Sequence, residues 1–183
     1  MIQTAKNKTL NMVYIALFAV VMAICSWMVL PGAVPFTLQT FGVFLAVLVL
    51  GGKSGTMAVL LYLLMGAVGL PVFSGFMGGV GVLVGHTGGY LSGFFLLALT
   101  MWFFEAFFGK SLPIRWISMA IGLLLCYSFG TFWYMTVYTG SADDGGIMAV
   151  LSLCVLPFVI PDIIKMMLAM AVRKRLLKIM GTW

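Results

Sequence analysis

The chain has 183 residues, of which 63% are hydrophobic and 8% are charged, and its mean hydropathy is +1.20. Soluble domains are about 45–50% apolar and about 25% charged, so this composition excludes a soluble protein and predicts an integral membrane protein. The net charge of +6 does not indicate nucleic-acid binding, because the cations lie at the ends of the predicted membrane spans.

The predicted elements are apolar helices that together use nearly the whole chain. A helix of about 20 apolar residues crosses about 30 Å of hydrocarbon. One integral membrane domain over residues 1–183, with an all-α fold of six transmembrane helices, is therefore expected. The predicted helices cover residues 11–30, 36–52, 55–73, 88–108, 114–138 and 161–180, and a short outer segment covers residues 147–156.

The distribution of Lys and Arg predicts the orientation of the chain. The loops 31–35, 74–87 and 139–146 contain neither residue. The positive-inside bias therefore places both termini in the cytoplasm. Nine of the ten cations lie on the other side of the predicted spans, and they are Lys6, Lys8, Lys53, Lys110, Arg115, Arg173, Lys174, Arg175 and Lys178. The tenth cation, Lys165, lies inside an apolar stretch.

The first helix has two features that need interpretation. Lys6 and Lys8 followed by an apolar run resemble the start of a signal peptide. The run from Met12 to Leu30 is longer than a signal's apolar region and lacks a cleavage site, so a retained helix is predicted. Ala16, Ala19 and Ala23 follow, and the last two form a small-xxx-small pattern that allows close helix approach. Packing inside this protein and contact with a partner both remain open.

Two polar residues and a glycine turn frame the second predicted helix. Thr37 and Gln39 lie where the preceding loop meets this helix, and a long amide such as Gln39 is not required for a helix cap. At the other end, Gly51-Gly52-Lys53-Ser54 is not a phosphate-binding loop, because Val47 stands where that motif needs glycine. A tight turn is expected there.

The interval from Gly66 to Gly93 is rich in glycine and includes Gly78 and Gly79. Backbone of this kind is tolerated at membrane depth only where protein or a water-filled cavity satisfies its amides. It forms either a site wall or a close-packed crossing, and its length favours the wall. Tyr90 begins the next helix directly after this interval.

Asp162 and Lys165 form the one acid–base pair inside an apolar region of the sequence. Pro161 fits the first position of a helix, where its missing N–H costs nothing. This start places the pair in the first turn, near the outer face and at the positive end of the helix dipole. The pair is either a structural ion pair or a ligand site. In such a site, Lys165 meets a negative group and Asp162 accepts hydrogen bonds from ligand N–H groups.

Catalytic and metal-binding signatures are absent from the sequence. It has one His, His86, one Glu, Glu105, and no metal-ligand spacing. No enzyme activity, no metal site and no cofactor are expected, and Glu105 is expected to pair with Lys110 or Arg115.

Four stretches of this chain resemble the BioY family, the biotin-binding S components of energy-coupling factor transporters. The similarity runs in order from the first helix to the last. The stretches are Val34-Pro35-Phe36-Thr37-Leu38-Gln39-Thr40-Phe41, Tyr62-Leu63-Leu64-Met65-Gly66-Ala67-Val68-Gly69-Leu70-Pro71-Val72-Phe73, Gly85-His86-Thr87-Gly88-Gly89-Tyr90-Leu91-Ser92-Gly93-Phe94 and Pro161-Asp162-Ile163-Ile164-Lys165.

The resemblance implies high-affinity capture of biotin from outside the bacterial cell membrane, with biotin as transported ligand rather than cofactor. It implies partners too, a transmembrane coupling protein and two ATP-binding cassette ATPases that supply the energy. A non-transporting membrane interaction protein, with a purely structural Asp–Lys pair, is the alternative.

The resemblance also assigns roles to residues. Its implied ligand contacts are Asp162, Lys165, Tyr90 and Gln39, with Thr37, Thr87, Gly78 and Gly79 as wall or lid. Loop 31–39 is the expected movable lid. Ala16, Ala19 and Ala23 match the family's contact with the coupling protein. His86 departs from the family's Gly-Pro-Thr-Gly-Gly-Tyr motif, which leaves the shape of the loop beside Thr87 open.

Overall fold

Helices dominate the fold because backbone amides in hydrocarbon must be satisfied within the protein. The computed structural model describes residues 2–30, 36–138 and 146–180. Its elements in chain order are α1 (Ile2–Trp27), β1 (Val29–Leu30), β2 (Phe36–Thr37), α2 (Gln39–Leu50), α3 (Gly52–Ala67), a 3-10 turn (Ser74–Phe76), α4 (Val80–Val84), α5 (Gly88–Phe108), α6 (Leu112–Tyr138), α7 (Gly146–Cys154) and α8 (Leu156–Met180).

Four helical stretches in the described part of the chain are long and apolar enough to cross a membrane. They are Lys8–Trp27, Gly88–Phe108, Leu112–Val137 and Val150–Lys178. The apolar helix α2 has 12 residues and spans only about 18 Å, at about 1.5 Å per residue. The structure confirms an all-α, multi-pass membrane fold, and the number of six crossings stays a prediction.

One end of the helix assembly, which we call the short-loop end, is tied by polar contacts. Gly51 alone joins α2 to α3, with a positive φ of 81° that favours glycine, as the tight-turn prediction requires. The Glu105 carboxylate accepts the Gly52 N–H at 3.0 Å and lies 3.2 Å from Lys110 Nζ, which confirms the predicted pairing. Arg173 Nε donates to the Leu48 carbonyl at 2.9 Å, which ties α8 to α2.

The opposite end, the long-loop end, holds the connection 68–87 and the described residues 28–30 and 36–38 between α1 and α2. There β1 pairs with β2 antiparallel, Val29 opposite Thr37, so the chain returns close to the end of α1. Trp27 Nε1 donates to the Pro71 carbonyl at 2.9 Å and its ring stacks on Phe76 at 5.0 Å. Of the predicted lid 31–39, residues 31–35 lie outside the described part of the chain.

The small residues of α1 divide between the interior and the surface. Ala19 is 0% exposed and Ala23 is 3% exposed, and both belong to the hydrophobic core. In this structure both alanines pack against their own chain, and their predicted contact with a partner stays a prediction. Ala16 is exposed, beside Leu17 and Val20.

The last helix begins five residues earlier than the sequence predicted. It starts at Leu156, with Pro161 inside it, so the predicted start at Pro161 was wrong. Pro157 occupies the early position where a missing N–H is tolerated, and Pro161 removes one interior hydrogen bond. Asp162 is consequently about 9 Å along the axis from Leu156, at about 1.5 Å per residue. The partial positive charge that the helix dipole places at the start of α8 is therefore too far away to stabilise the Asp162 carboxylate.

Candidate binding site

A cavity of about 300 Å³ lies at the long-loop end, within the size range of small-molecule sites. Its lining residues come from β2, α2, the glycine-rich connection, α5, α6, α7 and the first part of α8, and most of the cavity surface is apolar. The lining is Thr37, Gln39, Thr40, Phe73, Ser74, Met77, Gly81, Val82, Gly85, His86, Thr87, Tyr90, Leu91, Phe94, Cys126, Tyr127, Cys154, Phe158, Asp162 and Lys165.

The acid–base pair lies in this lining and is almost completely withdrawn from solvent. Asp162 is 2% exposed and Lys165 is 4% exposed, and Lys165 Nζ lies 2.7 Å from Asp162 Oδ1. A buried charge is tolerated only when it is paired and its remaining hydrogen-bonding capacity is used. The two residues therefore neutralise each other at the cavity wall.

Thr40 and Tyr127 complete the hydrogen bonding of this pair from two other helices. Thr40 Oγ1 donates to Asp162 Oδ1 at 2.8 Å and accepts from Lys165 Nζ at 3.0 Å. The Tyr127 hydroxyl donates to Asp162 Oδ2 at 2.5 Å. Side chains of α2 and α6, rather than the predicted helix dipole, therefore stabilise the Asp162 carboxylate.

An aromatic side chain covers the cation. The Phe36 ring centroid lies 4.3 Å from Lys165 Nζ, a cation–π contact, and the same ring stacks on Phe158 at 5.9 Å. Phe36 belongs to β2, so the position of Lys165 is coupled to the connection between α1 and α2.

Gln39 and Thr37 begin a chain of hydrogen bonds toward the glycine-rich connection. Thr37 Oγ1 donates to Gln39 Oε1 at 2.9 Å, and Gln39 Nε2 donates to the Tyr62 hydroxyl at 2.7 Å. Tyr62 in turn donates to the Val72 carbonyl at 3.1 Å. The Gln39 amide is thus held in one orientation at the cavity surface, which matches the expectation that it does more than cap a helix.

The glycine-rich connection supplies one wall of the cavity, through residues such as Ser74, Met77 and Gly81. Gly78 and Gly79 do not belong to the lining, in contrast to the wall prediction for these two positions. Gly79 has a φ of 98° and donates its N–H to the Gly66 carbonyl at 2.7 Å, so it forms the turn into α4. A Cβ at Gly78 would lie 2.2 Å from the Leu70 carbonyl oxygen, so this glycine permits a close backbone approach.

The other predicted residues of this region do line the cavity. Thr87 and Tyr90 lie at the start of α5, and the Tyr90 hydroxyl is 3.4 Å from Thr131 Oγ1 on α6. His86 also lines the cavity, and the carbonyl of its neighbour Gly85 accepts the Trp133 indole N–H at 3.0 Å.

Thr40, Tyr127 and Tyr62 are the polar residues of this site that the sequence analysis did not select. A tyrosine hydroxyl within an apolar span needs a hydrogen-bond partner, and this rule points to Tyr62 and Tyr127. Nothing in the sequence says which buried acceptor each hydroxyl meets. Thr40 follows Gln39 directly in the sequence. Its hydrogen bonds to Asp162 and Lys165 become visible only when α2 packs against α8.

A cavity that combines apolar walls with a neutralised ion pair, set among helices long enough to span a membrane, defines a membrane protein that binds a small molecule. The chain belongs to the BioY family, whose family model matches residues 1–182. The BioY resemblance noted in the sequence is thereby confirmed, and so is the expectation that the chain is not an enzyme.

Relatives with established names cover most of this chain. A protein named biotin transporter BioY from Thermotoga maritima is 42% identical over 166 residues, which is 89% of this chain and 93% of that protein. A probable biotin transporter BioY from Pyrococcus horikoshii is 40% identical over 145 residues, 79% of this chain and 82% of the relative. The crystal structure of an S-component for biotin from an ECF-type ABC transporter matches with a TM-score of 0.80 at 25% identity, covering 94% of this chain and 93% of that one.

Proposed function

We propose that this chain captures biotin with high affinity, as the substrate-binding subunit of an ECF transporter. The observation that carries the proposal is the ion pair of Asp162 and Lys165 in the wall of a largely apolar cavity, in a chain whose relatives are named biotin transporters. Biotin has a matching character, because an apolar ring carries a ureido group at one end and a carboxylate at the other.

The charge balance of the cavity indicates which end of biotin meets the pair. Asp162 and Lys165 already cancel each other at 2.7 Å. A ligand carboxylate beside them would leave a net negative charge in a poorly solvated site, which is unfavourable. The ureido group is neutral and offers both N–H donors and a carbonyl acceptor. We therefore assign the ureido end to the pair, with Asp162 accepting an N–H and Lys165 donating to the carbonyl.

The biotin carboxylate is then left to the polar lining residues that do not themselves bond to the pair. Gln39, Tyr90 and Thr87 are the candidates that the sequence analysis selected, and all three line the cavity with Thr37. Gln39 Nε2 has two N–H groups, and the Tyr62 hydroxyl takes one of them. The second is suited to an anionic oxygen.

The energy for uptake is proposed to come from partner subunits. The solved relative is a component of an ECF-type ABC transporter. Gly51 is the one-residue turn between α2 and α3, and Val47 stands where a phosphate-binding loop needs glycine. We propose that a coupling protein and two ATP-binding cassette ATPases supply the energy, while this chain binds biotin. Of the three alanines predicted to contact the coupling protein, Ala16 is the exposed one.

The orientation of the chain follows from its charges. With nine of ten cations at one end of the predicted spans, both termini are proposed to lie in the cytoplasm and the long-loop end outside. Green fluorescent protein fused after Trp183 is expected to fluoresce, because it folds in the cytoplasm. Alkaline phosphatase fused at the same position is expected to be inactive, and an active fusion would reverse the proposed orientation.

Binding by the purified subunit is the direct test of the proposed function. Detergent-solubilised protein without partners is expected to bind radiolabelled biotin with a dissociation constant below micromolar, which corresponds to more than about 8 kcal/mol of binding free energy. Cells are expected to accumulate biotin through this chain only when active ATPase partners are present. Absence of saturable binding up to micromolar biotin, in protein that retains its helical content, would contradict the proposal.

A further inference from the structure

Tyr127 is a buried residue of α6 whose hydroxyl points to the acid of the ion pair. It lines the cavity, and its hydroxyl lies 2.5 Å from Asp162 Oδ2. The other carboxylate oxygen is occupied differently, because Oδ1 accepts from Thr40 at 2.8 Å and from Lys165 at 2.7 Å. Among the described residues, Tyr127 is therefore the hydrogen-bond partner that holds the second oxygen, from the side of α6.

Counting lone pairs shows what this arrangement leaves for a ligand. A carboxylate offers about four acceptor positions, two on each oxygen. The contacts of Thr40, Lys165 and Tyr127 use three of them, so the remaining position is on Oδ2. Lys165 has three N–H donors and uses two, on Asp162 and Thr40. Within the described part of the chain, the hydrogen bonds thus leave one acceptor on Asp162 and one donor on Lys165, whose ammonium group also lies under the Phe36 ring.

We propose that Tyr127 is a positioning residue for the ureido end of biotin. Its hydrogen bond fixes the rotation of the Asp162 carboxylate, so that the last lone pair of Oδ2 is presented to one ureido N–H. Without the hydroxyl, the carboxylate is free to rotate and to share both oxygens with Lys165, away from the ligand. This inference rests on the proposed function and adds a residue that does not itself have to touch biotin.

The simplest competing role is a hydrogen bond that only stabilises the fold. A structural role would lower the affinity for every ligand by the same factor, together with the thermal stability. A positioning role lowers affinity only for ligands that use the Asp162 acceptor. The two roles are therefore separated by ligand chemistry rather than by the size of the effect.

The experiment compares wild type and Tyr127→Phe with three ligands, in competition with radiolabelled biotin. The ligands are biotin, biotinol, in which an alcohol replaces the carboxylate, and biotin methylated on one ureido nitrogen, tested separately for each nitrogen. Tyr127→Phe is expected to weaken biotin and biotinol equally, by about tenfold, the usual worth of a hydrogen bond to a charged group. For the derivative methylated on the nitrogen that faces Asp162, the two proteins are expected to bind alike.

Two further variants keep the comparison decisive. Ser128→Ala removes an exposed hydroxyl from the same helix, outside the cavity lining, where it bonds to the Leu124 carbonyl of its own helix, and is expected to change biotin affinity less than twofold. The second variant is Asp162→Asn, which replaces the methylated ligands if they bind too weakly to measure. In this background Tyr127→Phe is expected to cause no further loss of biotin affinity.

The outcomes distinguish the inference from the proposed function. Absence of biotin binding by the wild type contradicts the proposed function itself. If the wild type binds and Tyr127→Phe weakens all ligands by one factor, or has the same effect in the Asp162→Asn background, the positioning role is overturned. A loss confined to ligands with the free ureido N–H supports it.

Discussion

Replacing Lys165 with methionine is expected to lower biotin affinity by about 100-fold and to destabilise the protein. The substitution removes a charged donor to the ligand, and a hydrogen bond to a charged group contributes about 1.5–3 kcal/mol. It also leaves Asp162 buried at 2% exposure, with Thr40 and Tyr127 but no cation. Breaking a buried ion pair from one side costs about 3–5 kcal/mol of folding free energy. Thermal unfolding in detergent and radiolabelled biotin binding measure the two effects.

The double variant Asp162→Asn with Lys165→Met separates stability from binding. Removing both charges leaves no unpaired ion in the interior, so the unfolding temperature is expected to recover toward that of the wild type. Affinity for biotin is expected to stay as low as in Lys165→Met. Full binding by this double variant, or by both single variants, would instead support the alternative in which the pair only steadies the fold.

Replacing Gly130 with alanine is expected to reduce affinity by about 5- to 150-fold, because overpacking of this kind costs about 1–3 kcal/mol. A Cβ at Gly130 would lie 2.2 Å from Tyr90 Cδ1 and 2.3 Å from Cε1. These ring atoms cannot stay in place, and Tyr90 lines the cavity, so the ring is pushed toward the space proposed for the ligand. Biotin binding and thermal unfolding of the same preparation check both consequences.

Gly122→Ala is the matched control on the same helix. Its Cβ would meet the backbone and Cγ of Leu97 at 3.1–3.3 Å, a less severe contact that requires a shift of a few tenths of an ångström, and Gly122 lies outside the cavity lining. Alanine also favours a helix interior by about 0.5–1 kcal/mol over glycine, which offsets the tighter packing. Gly122→Ala is therefore expected to bind biotin as the wild type does. Equal losses in the two variants would mean that the contact between α5 and α6, rather than the Tyr90 ring, sets the affinity.

Composition and motif order were enough to predict the class of this protein. The apolar spans follow from hydropathy, the Gly51 turn from the glycine pair, and the selection of Asp162 and Lys165 from the rarity of charges in the spans. The resemblance to the BioY family added Gln39 and Tyr90 as ligand contacts, and all four residues line one cavity. These features depend on local sequence or on the cost of burying a charge, so they can be predicted without knowing the packing.

The environment of the ion pair could not be predicted, because it depends on which helices meet. Thr40 of α2 and Tyr127 of α6 reach Asp162 from positions 122 and 35 residues away in the sequence. Local rules placed the start of the last helix at Pro161, where proline is most easily tolerated. In the structure α8 continues through this residue, since the gain from packing and from a longer helix outweighs one lost hydrogen bond.

The alanines of α1 illustrate a second limit. A small-xxx-small pattern indicates that two helices approach closely, but it does not indicate which helix is the neighbour. Ala19 and Ala23 pack against helices of the same chain, while Ala16 is exposed. The exposure of a residue is a property of the whole packing arrangement.

The polar ties at the short-loop end also restrict the route of the ligand. Glu105 bonds to the first residue of α3 and pairs with Lys110, and Arg173 bonds to the last turn of α2. The residues that line the cavity lie toward the other end of the helices. A passage through the tied end would have to break these contacts. We therefore propose that biotin enters and leaves the cavity at the long-loop end, so that delivery to the opposite side of the membrane needs a movement of the whole subunit.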